Sequence, residues 1–266
     1  MKIFISADIE GTAGILSWDE AERTHADYGQ FRELMTAEVL AACAGAQAAG
    51  ATEIVIKDAH DSGRNLLLEQ MPACVRIVRG WSGHPNAMMF GIDESFDAAL
   101  YTGYHSKAGV EDNPLAHTST LRISRLTLNG EMASEFTLNA LCAARYDVRS
   151  VFLSGDQSIC ADASALVPGI TTVETLKGIG AATISLAPAA ARAAISAGVE
   201  KALRAGAEQT LPRIPERIEI VIEFSNPVDA YRASWYPGVR RHGPRAVAFH
   251  SDDFFEILRA YRFMKS

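Results

Sequence analysis

Cysteine is scarce in this chain of 266 residues, and its spacing carries no motif. The four cysteines lie far apart and form no CxxC pair; they are Cys43, Cys74, Cys142 and Cys160. This spacing argues against a cysteine zinc site and against the disulfide framework of a small secreted protein. We expect four buried or half-buried thiols in a reducing compartment.

The chain also lacks an apolar run long enough to cross a membrane, which takes about 20 residues. The longest uncharged run of note, residues 178–191, has 14 residues and contains Pro188. At the N-terminus, Asp8 and Glu10 interrupt the sequence before the apolar region of a signal peptide could form. We therefore expect a cytoplasmic protein without a membrane partner.

Positive charge is in deficit, with a net charge of −7 and a pI of about 5.5. Binding to nucleic acid needs clustered lysine and arginine, so we expect no nucleic-acid partner. Hydrophobic residues make up 48% and charged residues 21% of the chain, which excludes a disordered or fibrous protein. An acidic balance suits a globular protein that holds cations.

Strand and helix patterns alternate over the first 160 residues. An apolar strand at 2–7, a helix with apolar spacing at 30–49 and a strand at 53–58 form a βαβ unit, which implies a parallel pair. Further elements are predicted as strands at 75–78, 98–102, 121–128 and 151–154 and a helix at 136–146. The pattern predicts an α/β fold with an open, mostly parallel sheet and helices on both faces.

The later part of the chain has a different pattern. A helix at 188–205 is followed by strands at 217–224 and 245–249 and by a closing helix at 252–263. We interpret this as a smaller C-terminal α+β portion packed on the first. The predicted division is an α/β metal-site domain at 1–165 and the smaller portion at 166–266.

Polar residues collect at the ends of three predicted strands. Asp8 and Glu10 follow the first strand, Asp58 and His60 end the second, and His105 follows the strand at 98–102. Residues two apart on an extended chain point the same way. Ligands of open α/β sheets bind beyond the carboxyl ends of the strands, so these side chains are expected at one rim.

Carboxylates and imidazoles without thiolates are the donor set of zinc or of another divalent ion. More than four such donors suggests two ions that share one carboxylate, as in two-metal hydrolases. The alternative is a set of helix caps and loop salt bridges. His117 follows a turn-rich stretch at 111–114. It either enters the same site from a loop or lies on the surface. The other histidines carry no partner pattern and are taken as structural or exposed; they are His25, His84, His242 and His250.

Two further motifs are set aside. Gly178-Ile179-Gly180 lacks the third glycine of a dinucleotide loop, so we predict a turn there. Ser154-Gly155-Asp156 lacks the Gly-x-Ser-x-Gly elbow of a serine nucleophile, and Asp156 is expected to cap the following helix.

Five segments together resemble one known family. They are SADIEGTAGI (6–15), DAHDSGRNL (58–66), TGYHSKAG (102–109), LAHTST (115–120) and NGEMASEFTLNA (129–140). In this order they resemble the zinc D-aminopeptidases, the family of the D-aminopeptidase encoded with a dipeptide-transport operon. The resemblance extends over nearly the whole chain.

The resemblance implies two zinc ions per chain, a catalytic histidine and a ring-like homo-oligomer. The metal ligands that it implies are Asp8, Glu10, His60, His105 and Glu135. The catalytic histidine of the family matches His117. Members of the family form decamers of two five-membered rings, with the active sites facing an internal chamber.

The glutamate ligand has two candidates in the last segment, Glu131 and Glu135. The family pattern places this ligand just before a helix, which selects Glu135. Ser134 stands where the family usually has glycine. The residues alone, without the resemblance, select neither glutamate.

We interpret the chain as a metal-dependent aminopeptidase, or a closely related amide hydrolase, that acts on short peptides. Asp8 is expected to be the shared carboxylate. For His117 we favour proton transfer, because two zinc ions would themselves activate water, and a role as nucleophile is the alternative. The motifs do not encode a preference for D- or L-residues.

Two other functions stay open from the sequence. A two-metal phosphoesterase would need basic residues at the site, and only Lys57, Arg64 and Lys107 are close in sequence. A peptide-binding protein without catalysis would leave buried carboxylates unpaired, which is costly.

Overall fold

Two sheets are formed in the computed structural model, which describes residues 1–205 and 211–266. In chain order the strands are β1 (Lys2–Ala7), β2 (Glu53–Asp58), β3 (Val75–Val78), β4 (Ala98–Tyr104), β5 (Ile123–Leu128), β6 (Glu131–Met132), β7 (Arg149–Asp156), β8 (Thr171–Ile179), β9 (Ala182–Ser185), β10 (Ile218–Phe224), β11 (Arg240–Arg241) and β12 (Ala246–Ser251). The helices are α1 (Trp18–Ala21), α2 (Tyr28–Ala48), α3 (Glu135–Ala144), α4 (Gln157–Leu166), α5 (Pro188–Arg204), α6 (Pro227–Ala233) and α7 (Phe254–Met264).

The larger sheet has seven strands in the order β3-β2-β1-β4-β7-β8-β9. All neighbouring strands in it are parallel except β8 and β9, which form an antiparallel hairpin. Helices α2 and α5 pack together on one face, and α3 and α4 pack on the other. The predicted fold class, a mostly parallel α/β sheet with helices on both faces, is confirmed.

The sequence of β1 shows why this sheet is buried on both sides. Ile3 and Ile5 belong to the core under α2 and α5, whereas Phe4 belongs to the core on the opposite face. A parallel strand covered on both faces is apolar at nearly every position. Helix α2 buries the predicted apolar stripe and stops before Gly50, whose φ of +97° is the left-handed conformation that ends many helices.

The smaller sheet has five antiparallel strands in the order β11-β12-β10-β5-β6. Strand β10 alternates as predicted, with Ile218, Ile220 and Ile222 buried and the residues between them half-buried. Helices α6 and α7 pack on this sheet, and α7 also contacts α3. One continuous core therefore joins the smaller sheet to the α3 face of the larger sheet.

Sheet membership differs from the sequence-based expectation in two places. Strands β5 and β6 lie in the first 160 residues but belong to the smaller sheet, because β5 pairs antiparallel with β10. The Asn129-Gly130 turn then adds β6 to β5 as a hairpin. Strands β8 and β9, which were not predicted, extend the larger sheet after α4. The division of the chain at residue 165 stays a prediction.

The expected burial of the cysteines is confirmed: Cys43, Cys142 and Cys160 are buried and Cys74 is half-buried, all as free thiols. A reducing compartment stays a prediction. In the described ranges, 1–205 and 211–266, no helix is both long enough and apolar enough to cross a membrane. A location in the cytoplasm stays a prediction.

Candidate metal centre

Three adjacent parallel strands deliver polar side chains to one edge of the larger sheet. Asp8 and Glu10 follow β1, His60 lies just beyond β2, and His105 follows β4 directly. Strand β1 lies between β2 and β4, so the three strand ends are neighbours. All four side chains are buried.

A close backbone approach brings the end of β4 against the end of β1. Gly103 has a φ of +67°, and a Cβ atom there would lie 2.2 Å from the Asp8 carbonyl oxygen. On the facing chain, a Cβ at Gly11 would lie 1.8 Å from the Tyr104 carbonyl oxygen. Only glycine fits at these two positions, and this contact holds His105 beside Asp8.

Glu135 reaches the same place from the first turn of α3. Ser134 caps that helix, since its hydroxyl accepts a hydrogen bond from the Thr137 backbone N–H. The buried Glu135 Oε1 accepts a hydrogen bond of 2.5 Å from the Ser119 backbone N–H. Glu131, in contrast, lies exposed on β6.

The side chains make a compact cluster of acids and imidazoles. His60 Nδ1 lies 3.3 Å from Asp8 Oδ1 and 3.1 Å from Glu10 Oε1. His105 Nε2 lies 3.7 Å from Asp8 Oδ2 and 3.6 Å from Glu135 Oε1. His117 Nε2 lies 3.9 Å from Glu10 Oε1 and 3.7 Å from Glu135 Oε1.

These atoms form three overlapping groups that could each hold an ion. The members of each group have ligand atoms within 4.8 Å of one another; the groups are Asp8–Glu10–His60, Asp8–His105–Glu135 and Glu10–His105–His117. The first two groups share Asp8. The structure therefore brings together the five ligands and the histidine that the family resemblance implies. Asp58, also expected at this rim, lies outside the groups, because its carboxylate accepts hydrogen bonds from the backbone N–H and side chain of Asn65.

Backbone carbonyls fix which nitrogen each histidine presents to the cluster. A carbonyl oxygen can only accept a hydrogen bond, so the ring nitrogen that faces one must carry the proton. The pairs are His60 Nε2 with Ala21 O at 2.8 Å, His105 Nδ1 with Ser106 O at 3.0 Å, and His117 Nδ1 with Leu115 O at 2.9 Å. The other nitrogen of each neutral ring then offers its lone pair to the cluster. Such a carbonyl behind the ring is the usual support of a metal-binding histidine.

Two polar atoms of the cluster have no hydrogen-bond partner among the described residues, which tests whether a metal fits. They are Glu10 Oε2 and His105 Nε2, and both are buried. Leaving such atoms unpaired costs free energy, and coordination of a cation would remove that cost. The carboxylate and imidazole donors therefore fit a divalent ion such as zinc.

The pKa values of the acids and bases reflect the same crowding. Burial raises the pKa of Asp8 well above its usual value, and the charge of Glu10 adds to the effect. Burial alone would lower the pKa of His105, but the charges of Glu135 and Glu10 outweigh it and raise the pKa to about 9. Burial and the charge of His105 lower the pKa of His117. The carboxylates thus draw positive charge into the site.

Comparison with known proteins decides the family. Residues 1–263 match the model of peptidase family M55, described as D-aminopeptidase. The chain belongs to this family. The resemblance inferred from the five sequence segments is confirmed.

A sequence match and a structural match, both to D-aminopeptidase of Bacillus subtilis, support the assignment. A D-aminopeptidase of strain 168 is 28% identical over 262 residues, which cover 98% of this chain and 95% of that protein. The solved structure of the zinc-dependent D-aminopeptidase DppA, described as a self-compartmentalizing protease, matches with a TM-score of 0.94. That match has 28% identity and covers 99% of this chain and 96% of DppA.

His117 is held between two aromatic rings, as expected for a site residue rather than a surface one. Its ring stacks on His105 with a centroid distance of 4.3 Å, and Trp18 meets it edge-on at 5.2 Å. Trp18 was not predicted to be a site residue from the sequence. It lies on α1, whose start the Ser17–Glu20 capping box could have indicated, but no spacing links Trp18 to His117.

Asp156 has a second role that the sequence did not indicate. It caps α4, as expected, by accepting a hydrogen bond from the Ile159 backbone N–H. It also accepts hydrogen bonds from the backbone N–H and hydroxyl of Ser106 and from the side chain of Asn113. Since the Ser106 carbonyl orients His105, Asp156 supports the metal centre from behind.

The cluster opens into a cavity of about 450 Å³, a size typical of small-molecule sites. Acids and imidazoles of the cluster line one part of it. The side chains of Arg122, Arg262 and Lys265 also line it, together with Tyr261. Tyr261, Arg262 and Lys265 were missed because they lie at the end of α7 or just beyond it, far along the chain from the metal-site motifs. Arg122 lies two residues after the segment 115–120, but no spacing pattern marks it as a site residue.

Proposed function

We propose that this protein is a two-zinc aminopeptidase that removes the N-terminal residue, of D configuration, from short peptides. The observation that carries the proposal is the pair of ligand groups that share Asp8, each completed by one histidine and one further carboxylate. Family membership supports the same function, as does the zinc dependence of the Bacillus subtilis relative.

In this proposal Asp8, Glu10 and His60 would hold one ion, and Asp8, His105 and Glu135 the other. When bound, two zinc ions supply Lewis acidity toward the scissile carbonyl and lower the pKa of water in the site. The unpartnered Glu10 Oε2 and His105 Nε2 support this assignment, because an ion would satisfy both.

His117 would transfer the proton during peptide-bond cleavage. Its Nδ1 proton is held by the Leu115 carbonyl, so the Nε2 lone pair faces the cavity and can accept a proton and later return it to the leaving amine. Trp18 and His105 keep the ring in that orientation. Orientation by packing is what a proton-transfer group on a loop requires.

Self-association is part of the proposed function, as a ring-like homo-oligomer that could be a decamer. The Bacillus subtilis relative is described as self-compartmentalizing. In this chain, α6 and the turn after it present three exposed side chains: Val228, Tyr231 and Trp235, which are 64%, 58% and 72% exposed. An exposed apolar face of this kind suits burial against another copy.

Metal analysis and a substrate panel test the proposal. Gently purified protein should contain close to two zinc ions per chain, chelation should abolish hydrolysis, and zinc should restore it. D- and L-aminoacyl amides and a phosphate ester should be compared in the same preparation. A fully active metal-free protein would refute the metal centre, and turnover of the phosphate ester alone would refute the peptidase.

A further inference from the structure

A group of basic side chains lines the cavity that contains the metal centre. Lys265 and Arg262 lie at the end of α7 and just beyond it, and Arg122 precedes β5. Nothing in the proposed hydrolysis uses them. In a chain with a net charge of −7, three basic residues in one cavity call for an explanation.

Two of the three have no acidic partner among the described residues. Arg262 Nη1 donates a hydrogen bond of 2.8 Å to the Ser266 hydroxyl. Within residues 1–205 and 211–266, no Asp or Glu side chain forms an ion pair with Arg262 or Lys265. Arg122 is different, because it contacts Asp229 at 3.4 Å and donates a hydrogen bond to the Lys265 carbonyl. Arg122 therefore positions the Lys265 backbone.

The Lys265 side chain is half-buried as well as unpaired with any acid of the described residues. It lies 5.2 Å from the centroid of the Tyr261 ring. Burial lowers the pKa of Lys265 to about 8, although the charge of Glu135 opposes the shift. A cation removed from water is stabilised by an anion placed beside it.

One side chain connects the basic group to the metal centre. The Tyr261 hydroxyl donates a hydrogen bond of 2.9 Å to the Ser119 hydroxyl. The Ser119 backbone N–H in turn contacts Glu135, one of the proposed ligands. Glu135, Ser119, Tyr261 and Lys265 therefore follow one another along the lining of one cavity. A peptide residue spans at most about 3.6 Å, so a chain of two or three residues held at the metal centre extends along this lining toward the basic group.

Resting on the proposed function, we propose that Lys265 and Arg262 bind the C-terminal carboxylate of the peptide substrate. The metal centre takes the N-terminal end, and the basic group takes the other end of the same short chain. The enzyme therefore selects dipeptides and tripeptides with a free carboxylate over their amides and over longer peptides, whose carboxylate would lie beyond the cavity.

The test compares an alanine dipeptide with the same dipeptide as its C-terminal amide. In wild-type holoenzyme, kcat/KM should favour the free acid by roughly 10- to 100-fold, the value of one charge-assisted hydrogen bond. In Lys265→Met this preference should fall toward one, mainly through a higher KM for the acid. Arg262→Met should lose part of it, and Lys265→Arg should retain most of it because the positive charge is kept.

Arg259→Met is the matched control, since Arg259 is one turn earlier on α7, pairs with Glu256 and does not line the cavity. It should keep the full preference. Zinc content and thermal unfolding of each variant check that the fold is intact.

Equal kcat/KM for acid and amide in the wild type would overturn the carboxylate assignment and leave the peptidase standing. An unchanged preference in both Lys265→Met and Arg262→Met would do the same. Turnover of neither peptide, with turnover of a phosphate ester that falls in Lys265→Met, would overturn both proposals and assign the basic group to phosphate.

Discussion

Replacing Glu135 with glutamine tests the metal centre with little disturbance of the fold. The substitution keeps the shape of the side chain and leaves a carbonyl oxygen that can still accept the hydrogen bond from the Ser119 backbone N–H. It removes the negative charge that faces His105 and His117 at 3.6 and 3.7 Å. Only the charge and the ligand quality of one oxygen change.

Glu135→Gln should lower the zinc content substantially and change the free energy of unfolding only slightly. One group of proposed ligands would keep only Asp8 and His105, so zinc content should fall from about two ions per chain toward one. If the missing Lewis acidity is worth about 3–5 kcal/mol of transition-state stabilisation, kcat falls by about 10²–10⁴. A carboxylate in the first turn of a helix contributes only about 0.3–1 kcal/mol to stability, so α3 should remain folded.

Glu131→Gln is the control, because Glu131 lies four residues earlier and is exposed on β6. Elemental analysis, kcat for one D-aminoacyl amide and thermal unfolding should be measured on both variants. The control should match the wild type in all three. Two zinc ions and full activity in Glu135→Gln, or loss of metal in Glu131→Gln instead, would refute the assignment of the glutamate ligand.

Three further predictions concern proton transfer, folding and assembly. His117→Ala should keep its zinc and its assembly while kcat falls by about 10²–10⁴; loss of zinc would make His117 a ligand, and full activity would make it a bystander. Glu38 is buried, which raises its pKa from 4.5 to about 7 despite a hydrogen bond from the Ala13 backbone N–H, so the native state holds this proton more tightly than the unfolded state does. The stabilisation that protonated Glu38 contributes is present below pH 4.5 and is lost as the pH rises through 7. In urea unfolding, the free energy of unfolding of Glu38→Gln should therefore rise by about 3 kcal/mol relative to the wild type between pH 5 and 8. The exposed Glu33→Gln should show no such rise. Trp235→Glu should reduce the mass found by light scattering and leave zinc content unchanged, and an unchanged mass would exclude this face from the interface.

The sequence predicts the parallel sheet and its polar rim because both depend on local patterns. Apolar runs and a helical stripe are enough to identify β1, α2 and β2, and their order implies a parallel pair. Parallel strands end at one edge, so the sequence alone is enough to group Asp8, Glu10 and His60. Glu135 needed the family resemblance, since nothing in the spacing links the start of α3 to the end of β1.

Elements that depend on distant partners were predicted less well. Strand β8 is only partly apolar, with three buried residues among its nine, so its pattern does not distinguish it from a loop. Strand β5 was predicted, but its place in the smaller sheet was not, because its partner β10 lies about 90 residues later. Pairing over such a separation is decided by the packing of the whole chain, which local patterns do not carry.

The two ends of the cavity are built by different parts of the fold, and this explains why only one end was visible in the sequence. The metal end is formed by the larger sheet, where close backbone contacts at Gly11 and Gly103 fix the proposed ligands. The basic end is formed by α7, which packs on the smaller sheet and contacts the larger one through α3. Rigid strand ends suit the chemistry, which requires fixed ligand positions. Because Lys265 and Arg262 stand outside that framework, substitutions there should change which peptide is held without changing how its bond is broken.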